Sequence, residues 1–278
     1  MSELSKDIAL GPVGLRVADV ARSGAWLERV LGLTSSEQSS WGGPDATPLV
    51  RLREVPDARR VPRGGRPGLY HYALLLPGAA QLGRFLLHLE AIGERWSASD
   101  HLVSEAIYLV DPDGITVEVY ADRPRETWAW RGRELAMAVD PLDRARLVAA
   151  AGQERWHGLP AGTRMGHLHF FVGDLVEAER FYVRGLGFEP STRLLPGALF
   201  VAAGGYHHHL GLNVWAAGRP VAGPADAGLD EWSLVLPERA ELASLVERAR
   251  AARMEVQGEA DALVATDPWA LRVRVTVR

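Results

Sequence analysis

GLRVADVARSGAWLERVLGL, residues 14–33, and LHFFVGDLVEAERFYVRGLGF, residues 168–188, are built on one plan. Each opens with an apolar stretch that alternates as a strand does, passes an Asp, runs through an amphipathic stretch and closes on Leu-Gly. Asp19 and Gly32 are thirteen positions apart, and so are Asp174 and Gly187. An Asp accepts hydrogen bonds from the free N–H groups of a first helical turn, and a Gly takes the left-handed conformation that ends a helix. The pattern therefore reads as strand then helix, twice.

Working outward, HYALLLPGAAQLGRFLLHLEAIG (71–93) and EWSLVLPERAELASLVERARAAR (231–253) each give a strand, a Pro and a helix, with Pro77 and Pro237 160 positions apart. Downstream, YLVDPDGITVEVY (108–120) and LVATDPWALRVRV (263–275) place an Asp-Pro turn between two alternating strands. Asp111 and Asp267 are 156 apart. Offsets of 155, 160 and 156 make the second half a diverged copy of the first. Each half then holds two β-α-β-β-β units: an N-terminal domain over 1–121, a linker over 122–163 that packs on the surface, and a C-terminal domain over 164–278. Pro56–Gly68, rich in Pro, Gly and Arg, is a long loop before unit two; its Arg59, Arg60, Arg63 and Arg66 suit a solvated loop better than an anion-binding one.

The 278 residues suit two domains, and 47% hydrophobic with 24% charged residues describes a globular chain, not a disordered one. A net charge of -4 argues against nucleic acid and anionic membrane surfaces as partners. The opening MSELSKDIAL lacks the apolar core of a signal peptide and no apolar run is long enough to span a bilayer, so a cytoplasmic location is expected. With no cysteine, disulfides, thiol nucleophiles and thiolate metal sites are excluded, and any metal must rest on His, Asp or Glu. Nine histidines include His167, His169 and the run His207-His208-His209.

Four such units, carrying DHLVSEAIY, DPDGITVEVY, ADRPRETW, GHLHFFV and GGYHHHLGLNVW, resemble the vicinal oxygen chelate superfamily, specifically its two-domain members of the catechol 2,3-dioxygenase type. The resemblance runs from about Gly11 to Val277. It implies an α+β fold in which paired units curl into glyoxalase-like cups, with a divalent metal held by His residues of first strands and a Glu of a last strand. The first-strand position reads Pro12, His71, His167 and Glu231 in units one to four; the last-strand carboxylate reads Glu118 in unit two and Arg274 in unit four. Units one and two together lack a His, and units three and four lack the carboxylate. Only units two and three supply a full set, His71, Glu118 and His167.

Two imidazoles and one carboxylate suit Fe(II) with open positions for a chelating substrate and O2; Mn(II) or another divalent ion stays open. The resemblance further implies a Tyr and His residues around the oxygen site, matched here by Tyr108, ten positions before Glu118, and by His101. In the His run, motif alignment favours His208 as the acid–base residue, whereas a pleat count favours His207 or His209, which alternation would put together on one face. His169, His207 and His209 are the candidate substrate contacts, and His88 and His157 read as ordinary. The expected function is extradiol cleavage of a catechol, with a small aromatic molecule and O2 as partners and a homodimer as an allowed assembly. The alternatives are a glyoxalase-like isomerase or transferase, which would usually carry a second carboxylate ligand, and a non-catalytic aromatic-ligand binder like the bleomycin-resistance proteins.

Overall fold

The computed structural model describes residues 3–36, 39–62, 64–259 and 262–278. All four units are present. Unit one contributes strands Val13–Val17, Thr34–Ser36, Ser40–Gly42 and Pro48–Glu54, and unit two Gly68–Leu75, Ser97–Asp100, Ser104–Val110 and Thr116–Asp122. Unit three contributes Arg164–Phe171, Glu189–Thr192, Ala198–Ala202 and Leu210–Asn213, and unit four Gly228–Leu236, Val256–Glu259, Ala262–Thr266 and Arg272–Val277.

The repeated plan read from the sequence forms for the reasons given there. Asp19 Oδ1 accepts from the Arg22 amide and Asp174 Oδ1 from the Glu177 amide, each at 2.9 Å, so both helices start on a side-chain cap. Gly32 and Gly187 follow those helices at φ of 72° and 98°, a region closed to most side chains. Both helices also widen partway, from Val20–Trp26 into π-helical turns over Leu27–Leu31, and from Leu175–Ala178 into the same over Glu179–Gly185. The two Asp-Pro turns match as well. Asp111 Oδ1 accepts from Asp113 and Ile115, and Asp267 Oδ1 accepts from Trp269 and Leu271.

The sheets do not follow the two halves. Antiparallel pairing of Gly68–Leu75 with Arg164–Phe171 joins units two and three into one curled sheet, and pairing of Gly228–Leu236 with Val13–Val17 joins units four and one into the other. In both, a first strand also pairs in parallel with the last strand of its own unit. The boundaries 1–121 and 164–278 therefore divide the sequence and not the sheets. Contacts within each half cross between sheets instead. The Asp113 carboxylate of unit two accepts from Ser23 Oγ at 2.8 Å on the unit-one helix, and Tyr182 of unit three donates to Asp267 of unit four at 2.8 Å.

A continuous apolar core lies against the sheets, with Tyr72, Phe85, Phe170 and Trp232 fully buried. Between the halves, a turn at Arg125–Thr127, a short hairpin of Trp130–Arg131 with Glu134–Leu135, and the helix Arg144–Ala151 lie along the surface. That helix packs on Ala79–Ala91 of unit two, where Arg144 grips Glu90 with two bonds of 2.8 and 2.7 Å. In the loop before unit two, Arg59 and Arg66 both pair with the buried Asp226, at 2.8 and 2.7 Å, while Arg63 lies outside the described residues.

Candidate metal centre

The registers of the unit two and three sheet set the site. One row across four strands reads His167, Ala73, Glu118, Tyr108; the neighbouring row reads His169, His71, Thr116, Val110. Positions two apart on a strand share a face, so all eight look the same way. The methyl of Ala73 leaves space between His167 and Glu118, and His71 reaches into it from the next row. A register shift beside Gly166 sets the turn of His167. A Cβ at Gly166 would stand 2.1 Å from the Tyr120 hydroxyl, so only glycine fits there.

The three expected ligands converge. His71 Nε2 lies 3.0 Å and His167 Nε2 3.1 Å from Glu118 Oε2, and the two Nε2 atoms are 3.3 Å apart. Donors mutually cis around an octahedral ion at about 2.1 Å would stand about 3 Å apart, so the set fits one divalent cation. All three side chains are buried, and among the described residues Glu118 Oε1 has no hydrogen-bond partner. Burial holds the His71 imidazole below its usual value, and thus neutral, as a ligand must be. Burial alone would raise Glu118, but its contacts with His167 and His71 outweigh it and hold the carboxyl well below its usual range. Among the described residues, the Nδ1 atoms of both ligand histidines lack a hydrogen-bond partner. Aromatic packing aims these rings instead: His71 lies 4.8 Å from Tyr70 and 5.6 Å from Tyr108, and His167 lies 4.7 Å from Tyr120, ring centre to ring centre.

A cavity of about 380 Å³ opens onto the three ligands, with Tyr70, Phe200 and Trp215 among its walls. His101, Tyr108, His169 and His208 also line it. Tyr108 and His101 form a pair: the hydroxyl lies 2.7 Å from His101 Nε2, and His101 Nδ1 lies 2.7 Å from the Ala138 carbonyl. Since a carbonyl only accepts, Nδ1 carries the proton of the neutral ring and Tyr108 donates to Nε2. Burial, then the nearby Glu118 charge, raise the Tyr108 phenol well above its usual value, so it stays protonated. His169 faces the cavity with its Nε2 taken by Asn213 at 2.9 Å.

His208 is the member of the His run that lines the cavity, 4.2 Å from His167 ring to ring. His207 and His209 do not reach it, contrary to their expected role as substrate contacts. The run lies just before the strand Leu210–Asn213, so strict alternation does not govern it. His207 is fully buried, with Nε2 at 2.8 Å from Asp122 Oδ1 and Nδ1 at 2.8 Å from His208 Nδ1. Burial holds His208 well below its usual value and so neutral; where His207 Nε2 donates to Asp122 and its Nδ1 accepts from His208 Nδ1, His208 Nε2 is left without a proton. His209 turns away, its Nδ1 accepting from the Ala203 amide at 3.2 Å. The residues missed in the sequence are Asp122 and Tyr206, whose hydroxyl contacts Asp122 at 3.0 Å. Alternation from Glu118 through Tyr120 to Asp122 was the available signal.

The profile of the glyoxalase/bleomycin resistance protein/dioxygenase superfamily matches residues 9–119 and 164–268. The chain belongs to that superfamily. A catechol-2,3-dioxygenase of Bacillus subtilis is 38% identical over 276 residues, 96% of each chain. In fold, a provisionally assigned Bacillus subtilis dioxygenase superposes with a TM-score of 0.65 at 10% identity, covering 99% of this chain and 86% of its own. Glyoxalase I from Zea mays superposes with a TM-score of 0.55 at 14% identity, covering 98% of this chain and 92% of its own. These last two likenesses concern the α+β architecture of curled sheets. The protein is an enzyme of the dioxygenase type. Among the described residues, no helix is long and apolar enough to cross a membrane.

Proposed function

We propose that this superfamily member cleaves a catechol ring beside its diol, using Fe(II) and O2. The observation that carries the reading is the convergence of His71, Glu118 and His167 on one cavity with the Tyr108–His101 pair and His208. The reaction joins both atoms of O2 to the catechol, breaks the ring C–C bond next to one hydroxyl-bearing carbon, and yields a yellow hydroxy-semialdehyde. His71, Glu118 and His167 would hold the iron, which when bound supplies the redox chemistry that lets a catechol react with O2.

The remaining work falls to the chain. His208 Nε2, bare because Asp122 and His207 fix the proton arrangement behind it, accepts a proton as the diol ionises. The Tyr108 hydroxyl, whose one proton otherwise goes to His101 Nε2, gives up that bond and turns the proton to oxygen carrying developing charge. Tyr70, Phe200 and Trp215 wall the ring from water. The glyoxalase-like alternative would call for a second carboxylate ligand. Among the described residues the one group able to hold a metal is His71, Glu118 and His167, with no second acid.

The test is anaerobic purification, loading with Fe(II), and exposure of a catechol panel to O2. Stoichiometric oxygen uptake with a yellow product is expected. Failure to bind iron, or the absence of oxygen uptake with every catechol, would overturn the reading.

A further inference from the structure

The metal cavity does not end at the metal. Tyr70, Ser97, Tyr108, Val110 and Thr116 line it and also line a second, larger cavity of about 780 Å³. The way between them follows the strand Thr116–Asp122 backward: Glu118 at the metal, Thr116 on both walls, and Gly114 in the Asp-Pro turn beside the second cavity. At a rise of about 3.3 Å per residue, those four positions cover roughly 13 Å. A lone catechol ring at the metal would leave the second cavity unused.

That second cavity has a chemical character of its own. Arg60 and Arg95 line it, together with Trp96 and Phe171. Arg60 belongs to the arginine-rich loop, and its side chain lies against Gly114, where an added Cβ would stand 3.1 Å from Arg60 Cγ. Its loop neighbours Arg59 and Arg66 are committed to Asp226. Arg60 and Arg95 form no ion pair among the described residues. The one carboxylate among the described lining residues, Glu94, is engaged by Arg29 at 2.9 Å. The cavity thus offers two guanidinium groups and an indole, with its single acid already neutralised.

We propose that the substrate is a catechol bearing a short chain that ends in an oxyanion, its diol at the metal and its anion between Arg60 and Arg95. This rests on the catechol-cleaving reading for the ring end; the anion end stands on the second cavity. Tyr70, Val110 and Thr116 form the throat through which the chain passes. Guanidinium groups pair with carboxylate and phosphonate oxygens alike, so the shared chemistry is an oxyanion on a tail.

The experiment compares the wild-type protein with the R60Q/R95Q double variant. Calorimetry without metal measures binding of 3-(3,4-dihydroxyphenyl)propionate, its methyl ester and the phosphonate of the same length. With Fe(II) present, kcat/KM is then measured for the acid and the ester. Wild type is expected to bind the acid about tenfold or more tighter than the ester, as one or two charge-assisted bonds would give, and the double variant to lose that ratio. A stronger response to the phosphonate than to the acid would identify phosphate-like tails as the source. Equal binding of acid and ester by the wild type, or an undiminished ratio in R60Q/R95Q, overturns the proposal. An acid preference in binding without turnover of any catechol would sink the ring-cleaving reading and leave the anion site standing. Turnover of catechols with no acid preference would do the reverse.

Discussion

The two sheets share one topology and one register yet carry opposite electrostatics at the same places. In the unit two and three sheet, His71 faces His169 and Ala73 faces Glu118; in the other, Glu231 faces Gly14 and Ser233 faces Arg274. The first arrangement gathers two neutral rings and one carboxylate, a net charge that asks for a cation. The second is closed on itself: Arg274 donates to Glu231 at 2.7 and 3.2 Å and Arg272 adds a contact at 3.0 Å. With Pro12 at the third position, that surface has no ligand left to offer. The scaffold sets where side chains meet, and the side chains alone decide whether a metal or an ion pair fills the meeting place.

Four experiments bear on that contrast. Glu118→Gln removes the charge while keeping the shape of a fully buried side chain. It should lower metal affinity by about a hundredfold or more with an unchanged circular dichroism spectrum, and metal analysis after dialysis checks it. Tyr108→Phe should keep full metal occupancy and reduce kcat for catechol by about a hundredfold, as expected when a proton donor is lost. Glu231→Gln strands two partly exposed arginines in the metal-free sheet. A cost below about 1 kcal/mol by urea unfolding and an unaltered metal content are expected; a loss of metal would show that the sheets are coupled.

The smallest effect concerns the matching turns, one in each sheet. Burial foremost pushes Asp111 up to about 7 and Asp267 up to about 6, with backbone hydrogen bonds offsetting only part of it. The folded chain therefore keeps protons that the unfolded chain releases near pH 4. The stability that these two carboxyls contribute should be fully present below that pH and be lost as pH rises through about 6 and 7. Melting temperatures of Asp111→Asn against pH should show a shallower decline, since an amide oxygen can still accept from Asp113 and Ile115.

Much of this was legible in the sequence because it was written twice. Asp19 and Asp174, Gly32 and Gly187, and Asp111 and Asp267 are local signals whose hydrogen bonds involve residues a few positions away. The ligand set was legible for a different reason: the family resemblance named the strand positions to read, and at those positions Pro12 and Arg274 left His71, Glu118 and His167 as the one full set. What escaped depends on contacts that no local pattern encodes. The His run lies outside its strand, so the pleat could not say which ring faces the cavity. Asp122 is 85 positions from His207, and neither carries a sign of the other. The π-helical turns left no mark in the apolar spacing. Arg60 and Arg59 are adjacent and chemically alike, yet one is drawn to Asp226 and the other faces the second cavity.

The crossing of the sheets between halves has a consequence for how the enzyme is made. During synthesis, His71 and Glu118 leave the ribosome early, but their partner His167 belongs to a strand 96 positions after His71. The first half can therefore neither complete its sheet nor capture the ion while it waits, and its exposed strand edge is a hazard until unit three arrives. Metal acquisition is therefore expected to be a late event in the life of each molecule, and uptake of the ion by nascent chains of increasing length would time the moment when the two halves first meet.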